Sequence, residues 1–282
     1  MSYQISSDRF AEPWLKELLE VVANYFQRSG TEFYIIGAAA RDIVLGGIHH
    51  RNPHRKTRDL DIAIMIPDWN TFEQIATDLC AMADFKKDSK QKQRFCYKDM
   101  FDLDIVPFGE IAQSDKTIYW PPEATVAMSV IGFREMAKRA LSVTIDEKFT
   151  LLVASLPGIF VLKLTAWRDR HLSNTKDAED LALLIDEYLD INIERAIKEH
   201  PDIYEKEDFT TFIAGATLIA RDIKTILTDN KDVLIEITAI IEKEVNKSEF
   251  SKLIDQILYT NPSKNYEEVL QAFSQIVKEL KK

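Results

Sequence analysis

Asp59 and Asp61 stand two residues apart in the segment DLDIAIMI, residues 59–66. In an extended chain, Leu60, Ile62, Ile64 and Ile66 share one face, and Asp59, Asp61, Ala63 and Met65 share the other. The apolar face predicts a buried strand. Two carboxylates on the opposite face repel each other and lose hydration unless a cation neutralises them. A hard divalent cation with oxygen ligands is a natural counter-charge. The plainer alternative is a solvated strand end with both aspartates in water. The segment FDLDIVP, residues 101–107, repeats the pattern, with Phe101, Leu103 and Ile105 on one face and Asp102 and Asp104 on the other. If the two strands pair, a third carboxylate joins the first two. Asp104, directly before Ile105-Val106-Pro107, is the deeper candidate. Three converging carboxylates suit phosphoryl transfer with two ions about 4 Å apart.

Other residues could serve the same chemistry. Gly37 follows the apolar segment TEFYII, residues 31–36, and opens a short helix, so its backbone N–H groups suit phosphate oxygens. Arg41 and Asp42 follow, either as a structural ion pair or as a nucleotide contact. Between Ile48 and Arg58 lie Arg51, Arg55, Lys56, Arg58, His49, His50 and His54, with no acid. This is a loop that attracts a nucleotide triphosphate or an RNA phosphate, or a solvated loop. Lys86, Lys87, Lys90, Lys92 and Arg94 form a second basic stretch, read as solvated surface. Lys163, Trp167 and Arg170 share a helix face, as cations for triphosphate or as a surface pair flanking a core Trp. Asp177 and Asp180 open the next helix, where Asn174 or Thr175 is the expected cap and the helix dipole favours acids.

The elements that position these residues divide at Leu156-Pro157. Before it, helices over 8–29, 71–83 and 134–140 alternate with short strands. After it come helical periods at 157–171, 175–189, 209–227, 232–245, 247–259 and 265–280. Gly46-Gly47 is expected to end the helix after Gly37, Asn70 or Thr71 to cap the helix over 71–83, and 86–93 to form an exposed loop or hairpin. The fold class is therefore α+β, with an α/β domain over 1–156 and a helical domain over 157–282. The net charge of −10 lies entirely after residue 176, because 1–176 holds 23 acidic and 23 basic residues. That argues against non-specific nucleic-acid binding by the C-terminal part. No Walker A loop, G-x-G-x-x-G, G-x-S-x-G or H-E-x-x-H occurs. No apolar run is long enough to span a membrane, and the two cysteines fit a reducing cytoplasm.

Three segments carry a resemblance: Tyr34-Ile35-Ile36-Gly37-Ala38-Ala39-Ala40-Arg41-Asp42, Thr57-Arg58-Asp59-Leu60-Asp61-Ile62-Ala63 and Leu103-Asp104-Ile105-Val106-Pro107-Phe108-Gly109. Their order and content resemble the polymerase-β-type nucleotidyltransferase superfamily. Leu156-Pro157-Gly158, the run Leu162–Arg170 and Lys176-Asp177-Ala178-Glu179-Asp180-Leu181 make the chain similar to AbiEii-type nucleotidyltransferases, several of which are toxins of toxin–antitoxin or phage-defence pairs. The resemblance implies a nucleotidyltransferase-fold mixed sheet with flanking helices, followed by a helical domain. It implies Mg²⁺ or Mn²⁺ on Asp59, Asp61 and Asp104, and nucleotide contacts from Gly37, Ala38, Arg41, Lys163 and Arg170. Asp177 and Asp180 would stand behind them, Asp177 bracing Lys163 or Arg170. Ala38 replaces the superfamily's Ser or Gly, which leaves only backbone contact to phosphate there. The implied reaction moves a nucleoside monophosphate from an NTP to RNA such as tRNA, or to a protein, with a possible antitoxin partner and no membrane. The rival readings are a small-molecule, antibiotic-type nucleotidyltransferase and a catalytically inactive binding protein of the same fold.

Overall fold

The computed structural model describes residues 2–10, 12–51, 58–124, 126–205, 207–247 and 250–282. The strands in chain order are β1 (Ser2–Ile5), β2 (Phe33–Ile36), β3 (Asp59–Met65), β4 (Phe85–Lys87), β5 (Arg94–Tyr97), β6 (Phe101–Phe108), β7 (Thr117–Tyr119), β8 (Ala127–Ser129), β9 (Leu141–Ile145) and β10 (Phe149–Val153). The helices are α1 (Pro13–Ser29), α2 (Gly37–Asp42), α3 (Trp69–Ala81), α4 (Phe133–Lys138), α5 (Leu156–Arg170), α6 (Lys176–Ile191), α7 (Ile193–Glu199), α8 (Thr211–Leu227), α9 (Lys231–Val245), α10 (Lys252–Thr260) and α11 (Tyr266–Lys281). The chain forms two compact units, 1–159 and 160–282. No helix among the described residues is long and apolar enough to cross a membrane.

The first unit is built on a mixed eight-stranded sheet in the order β1-β9-β10-β2-β3-β6-β5-β4. β3 is its organising strand. It pairs antiparallel with β2 and parallel with β6. Leu60, Ile62 and Ile64 on β3 and Leu103 and Ile105 on β6 are wholly buried. These residues form one continuous apolar face across the two strands and fix their register. β7 and β8 form a separate two-stranded sheet.

Several local expectations shift. The helix expected over 8–29 begins at Pro13, and Ser7–Arg9 makes a single 3-10 turn before it. α3 is capped by Asp68, whose carboxylate accepts from the Thr71 N–H at 2.8 Å, rather than by Asn70 or Thr71. Gly46-Gly47 does not end the helix after Gly37. Residues Ile43–Ile48 widen into a π-helical turn, and the His49 N–H donates to the Val44 carbonyl at 3.1 Å. β1 and α7 escape periodicity altogether. β1 is a four-residue strand ordered by parallel pairing with β9, a partner more than a hundred residues away.

The second unit is helical. α8 buries Phe212, Leu218, Ile219 and Ile223, while α6 buries Leu181, Leu184 and Ile185. Gly215 lets α8 approach α6 closely, since a Cβ there would stand 2.2 Å from the Ile185 carbonyl oxygen. Alanine favours an isolated helix over glycine by about 1 kcal/mol. Here the clash with rigid backbone outweighs that gain, because overpacking costs about 1–3 kcal/mol. Gly215→Ala is expected to lower the melting temperature of the purified chain. An unchanged or higher melting temperature would show that α8 and α6 separate freely.

Candidate active site

Parallel pairing sets the site. Asp59 lies opposite Asp102 and Asp61 opposite Asp104. Partners in register project to the same side, so four carboxylates line one face of β3 and β6. Ile36 lies opposite Asp61 on the other flank. Gly37 follows with φ +66°, and a Cβ there would be 2.2 Å from Asp61 Oδ2. The Asp61 carboxylate thus rests against backbone that only glycine leaves open. Arg41 is buried, with 1% exposure, and its Nε and Nη2 donate to Asp42 Oδ1 at 2.8 and 2.7 Å. The two side chains therefore pair with each other on α2.

The residue that sequence reasoning missed is Arg94. It sits on β5 opposite Asp104. Its Nε and Nη2 donate to Asp104 Oδ1 and Oδ2 at 2.8 and 2.7 Å, a two-pronged clamp. Its Nη1 reaches Asp102 Oδ2 at 2.9 Å. Hydrogen bonding to Asp104 holds the guanidinium above its already high ordinary value, so the charge is permanent. The reading of the second basic stretch as solvated surface suits Lys86 and Lys90, which are exposed, but not Lys87, whose Nζ lies 4.1 Å over the Phe95 ring, or Arg94. The available signal was alternation: Phe95 and Tyr97 are wholly apolar-facing and buried, which puts Arg94 and Cys96 on the carboxylate side.

Among the described residues, no group of three or more His, Cys, Asp or Glu side chains is arranged to hold a metal ion. Asp104, expected as the third ligand, faces the same side as Asp61 but gives both oxygens to Arg94. Asp59 and Asp61 are hard oxygen donors, and that donor chemistry fits Mg²⁺ or Mn²⁺. In the basic segment, Arg55, Lys56 and His54 lie outside the described residues. His49 is held below its ordinary value by burial first, then by Arg51 and His50.

In the second unit, Asp177 and Asp180 are almost fully buried. Lys163 Nζ lies 3.2 Å from Asp177 Oδ1 and 2.7 Å from Asp180 Oδ2. Arg170 Nε and Nη2 donate to Asp177 at 2.7 and 2.9 Å. Asp177 therefore braces both cations. Burial works to raise its carboxyl, but the Arg170 hydrogen bonds and the Lys163 charge override burial and hold it below the ordinary value. Trp167 is a core residue, with Nε1 donating to Gln256 Oε1 at 2.8 Å. The expected cap is partly met: Asn174 Oδ1 accepts from the Lys176 N–H at 2.9 Å, while Thr175 makes no side-chain cap.

Aspartates set side by side on the sheet, against a glycine turn, agree with the nucleotidyltransferase reading of the sequence. The family model described as "Nucleotidyl transferase AbiEii toxin, Type IV TA system" matches residues 28–272, and the chain belongs to that family. No curated protein matches the chain. Among solved structures, an antigenic nucleotidyltransferase-like protein from Paracoccidioides brasiliensis is 18% identical with TM-score 0.42, over 74% of this chain and 94% of that one. The antibiotic-resistance factor ANT(2'')-Ia is 12% identical with TM-score 0.34, over 80% of this chain and 96% of that one. The Thermotoga maritima CCA-adding enzyme complexed with tRNA is 13% identical with TM-score 0.25, over 96% of this chain and 84% of that one.

Two measurements probe this geometry. Gly37→Ala must displace the Asp61 carboxylate, and a misplacement of 1 Å at a reacting centre can cost about 100-fold in rate. Nucleotidyl transfer by Gly37→Ala is expected to fall by that order with the fold retained; wild-type turnover would remove Asp61 from the site. Asp177 is held below its unfolded value, so the folded state binds fewer protons than the unfolded one between those two values. Its stabilisation is complete above about pH 4 and is lost as pH falls through the folded value. Asp177→Asn should cost about 3 kcal/mol at neutral pH, the low end for breaking a buried pair, and should flatten the acid limb of the stability curve. An acid limb identical to wild type would show that Asp177 does not set it.

Proposed function

We propose that the chain transfers a nucleoside monophosphate from an NTP to RNA, with tRNA the first candidate, in a reaction dependent on Mg²⁺ or Mn²⁺. The observation that carries this reading is the register of β3, which sets Asp59 and Asp61 opposite Asp102 and Asp104 of β6 and brings Asp61 against Gly37 on its other flank. A bound divalent ion would supply charge neutralisation for the triphosphate and the leaving pyrophosphate. Asp59 and Asp61 would hold it. The acceptor hydroxyl oxygen bonds to the α-phosphorus, the bond from that phosphorus to pyrophosphate breaks, and the hydroxyl proton is released. The backbone at Gly37 and Ala38 is assigned to the nucleotide on the family resemblance, as are Lys163 and Arg170.

RNA is preferred as the acceptor on charge. Residues 1–176 carry no net charge, while all of the −10 follows them. Within the first part, Arg51, Arg55, Lys56 and Arg58 form an acid-free run, and phosphate binding is driven by such cations. The family description makes a toxin role, with an antitoxin partner, the biological setting of the proposal.

The test incubates purified chain with α-labelled NTPs, Mg²⁺ and total RNA. Label is expected in RNA, with loss on chelation and at least a roughly 100-fold decrease for Asp61→Asn, the scale of one removed electrostatic contact at a reacting centre. Label confined to the protein itself, to a small-molecule hydroxyl, or absent altogether would overturn the RNA assignment.

A further inference from the structure

We propose that the first unit carries a second binding site, apart from the row of aspartates, for a small molecule with an aromatic body and one anionic group. The site is a cavity of about 300 Å³ at the far end of the carboxylate-bearing strands, with α4 as one wall.

Strand geometry separates this cavity from the aspartates. Its floor includes Met65 and Phe108, the last in-register pair of β3 and β6. Met65 shares a face with Asp61 but stands further along β3, about 13 Å away at ~3.3 Å per residue. None of the four aspartates lines the cavity, and every residue that does belongs to the unit 1–159.

The floor is apolar. Tyr34 and Phe108 are almost fully buried and meet edge to face, with ring centroids 5.8 Å apart. The Tyr34 hydroxyl donates to the Phe133 carbonyl at 3.0 Å, so its proton is already spent. Leu152 is 42% exposed although β10 is an inner strand of the sheet. Water against such apolar surface is unfavourable, and a ligand that covers it is favoured. Rings beside a thioether suit a flat aromatic body, through ring–ring and sulfur–ring contacts. The volume lies at the lower limit for small-molecule sites, so the ligand is small. The apolar side chains of the floor offer nothing to the hydroxyls of a nucleotide's sugar, and burying those unpaired is costly.

The mouth supplies the charge. Arg134, Ala137 and Lys138 line the cavity from α4 at i, i+3 and i+4, hence from one helix face. Glu32 also lines it, which leaves two cations against one anion. All three charged residues are exposed, and among the described residues no hydrogen bond or ion pair holds the side chain of any of them. Arg94 and Arg170 already hold carboxylates of this chain and would have to release them to take a ligand's anion. Arg134 and Lys138 release nothing.

The test titrates the full chain with anilinonaphthalene sulfonate, an aromatic body bearing one sulfonate, and with phenylnaphthylamine, the same body without the charge. Fluorescence reads both. Wild type is expected to bind one sulfonate probe per chain. Replacing Arg134→Gln together with Lys138→Gln should weaken the sulfonate probe at least about tenfold, the scale of a lost hydrogen bond to a charged group. The neutral probe should bind the double variant as it binds wild type. Glu32→Gln should tighten the sulfonate probe, by up to about fivefold for one exposed charge. Ala137→Trp, which fills the cavity from α4, should weaken both probes. Should the double variant fold poorly, Glu32→Gln decides alone: tightening supports the site and an unchanged affinity overturns it. No saturable binding, equal weakening of both probes by the double variant, or a sulfonate affinity indifferent to all these substitutions would overturn the proposal. Displacement of the sulfonate probe by AMP would overturn the apolar-anion assignment in favour of a nucleotide.

Discussion

Repulsion among aspartates held in register on β3 and β6 is the constraint on which the rest of the first unit turns. Hydrogen bonding between these strands fixes Asp59 opposite Asp102 and Asp61 opposite Asp104. Their apolar alternates are buried, so a slip of one residue would bring the carboxylates into the core. The strands cannot relieve the repulsion by sliding. Relief has to come from neighbours: Arg94 on β5, and the open backbone at Gly37, which gives the Asp61 carboxylate room. Gly37 and Arg94 thus border the same row of carboxylates from opposite sides of the strand pair.

The second unit solves the same problem with the signs exchanged. Lys163 and Arg170 lie seven residues apart on α5, close enough to repel, and Asp177 sits between them at the start of α6. Asp180 adds a second carboxylate to Lys163. A carboxylate as buried as Asp177 would ordinarily take up a proton, and it stays ionised because two cations surround it. Removing any member leaves an uncompensated charge in a dry place, which is why such clusters resist gradual change.

The sequence showed the strands that carry charge more clearly than those that only complete the sheet. β3 and β6 were legible because strict alternation and paired aspartates coincide in them. The helices of the second unit were legible from their 3.6-residue period. β1 was not, because four residues with one buried side chain contain no local signal, and its order comes from β9. The π-helical turn over Ile43–Ile48 was hidden for a related reason: Gly46-Gly47 is a stop signal locally, yet Gly47 packs under Ile5, where a Cβ would stand 2.9 Å from the Ile5 Cδ1. Tertiary packing overrides propensity at both places.

Arg94 shows the deeper limit. A lysine-rich stretch followed by an arginine reads as solvated surface when residue types are counted without faces. What separates Arg94 from Lys86 and Lys90 is the pairing of β5 with β6, a long-range fact that no window over 86–94 contains. Once the pairing is known, the charge of Asp104 demands a partner and Arg94 is the residue opposite it. The carboxylates could be read as a site from the sequence because their repulsion is local. Which of them meets the guanidinium could not be read there, because the pairing of β5 with β6 alone decides it.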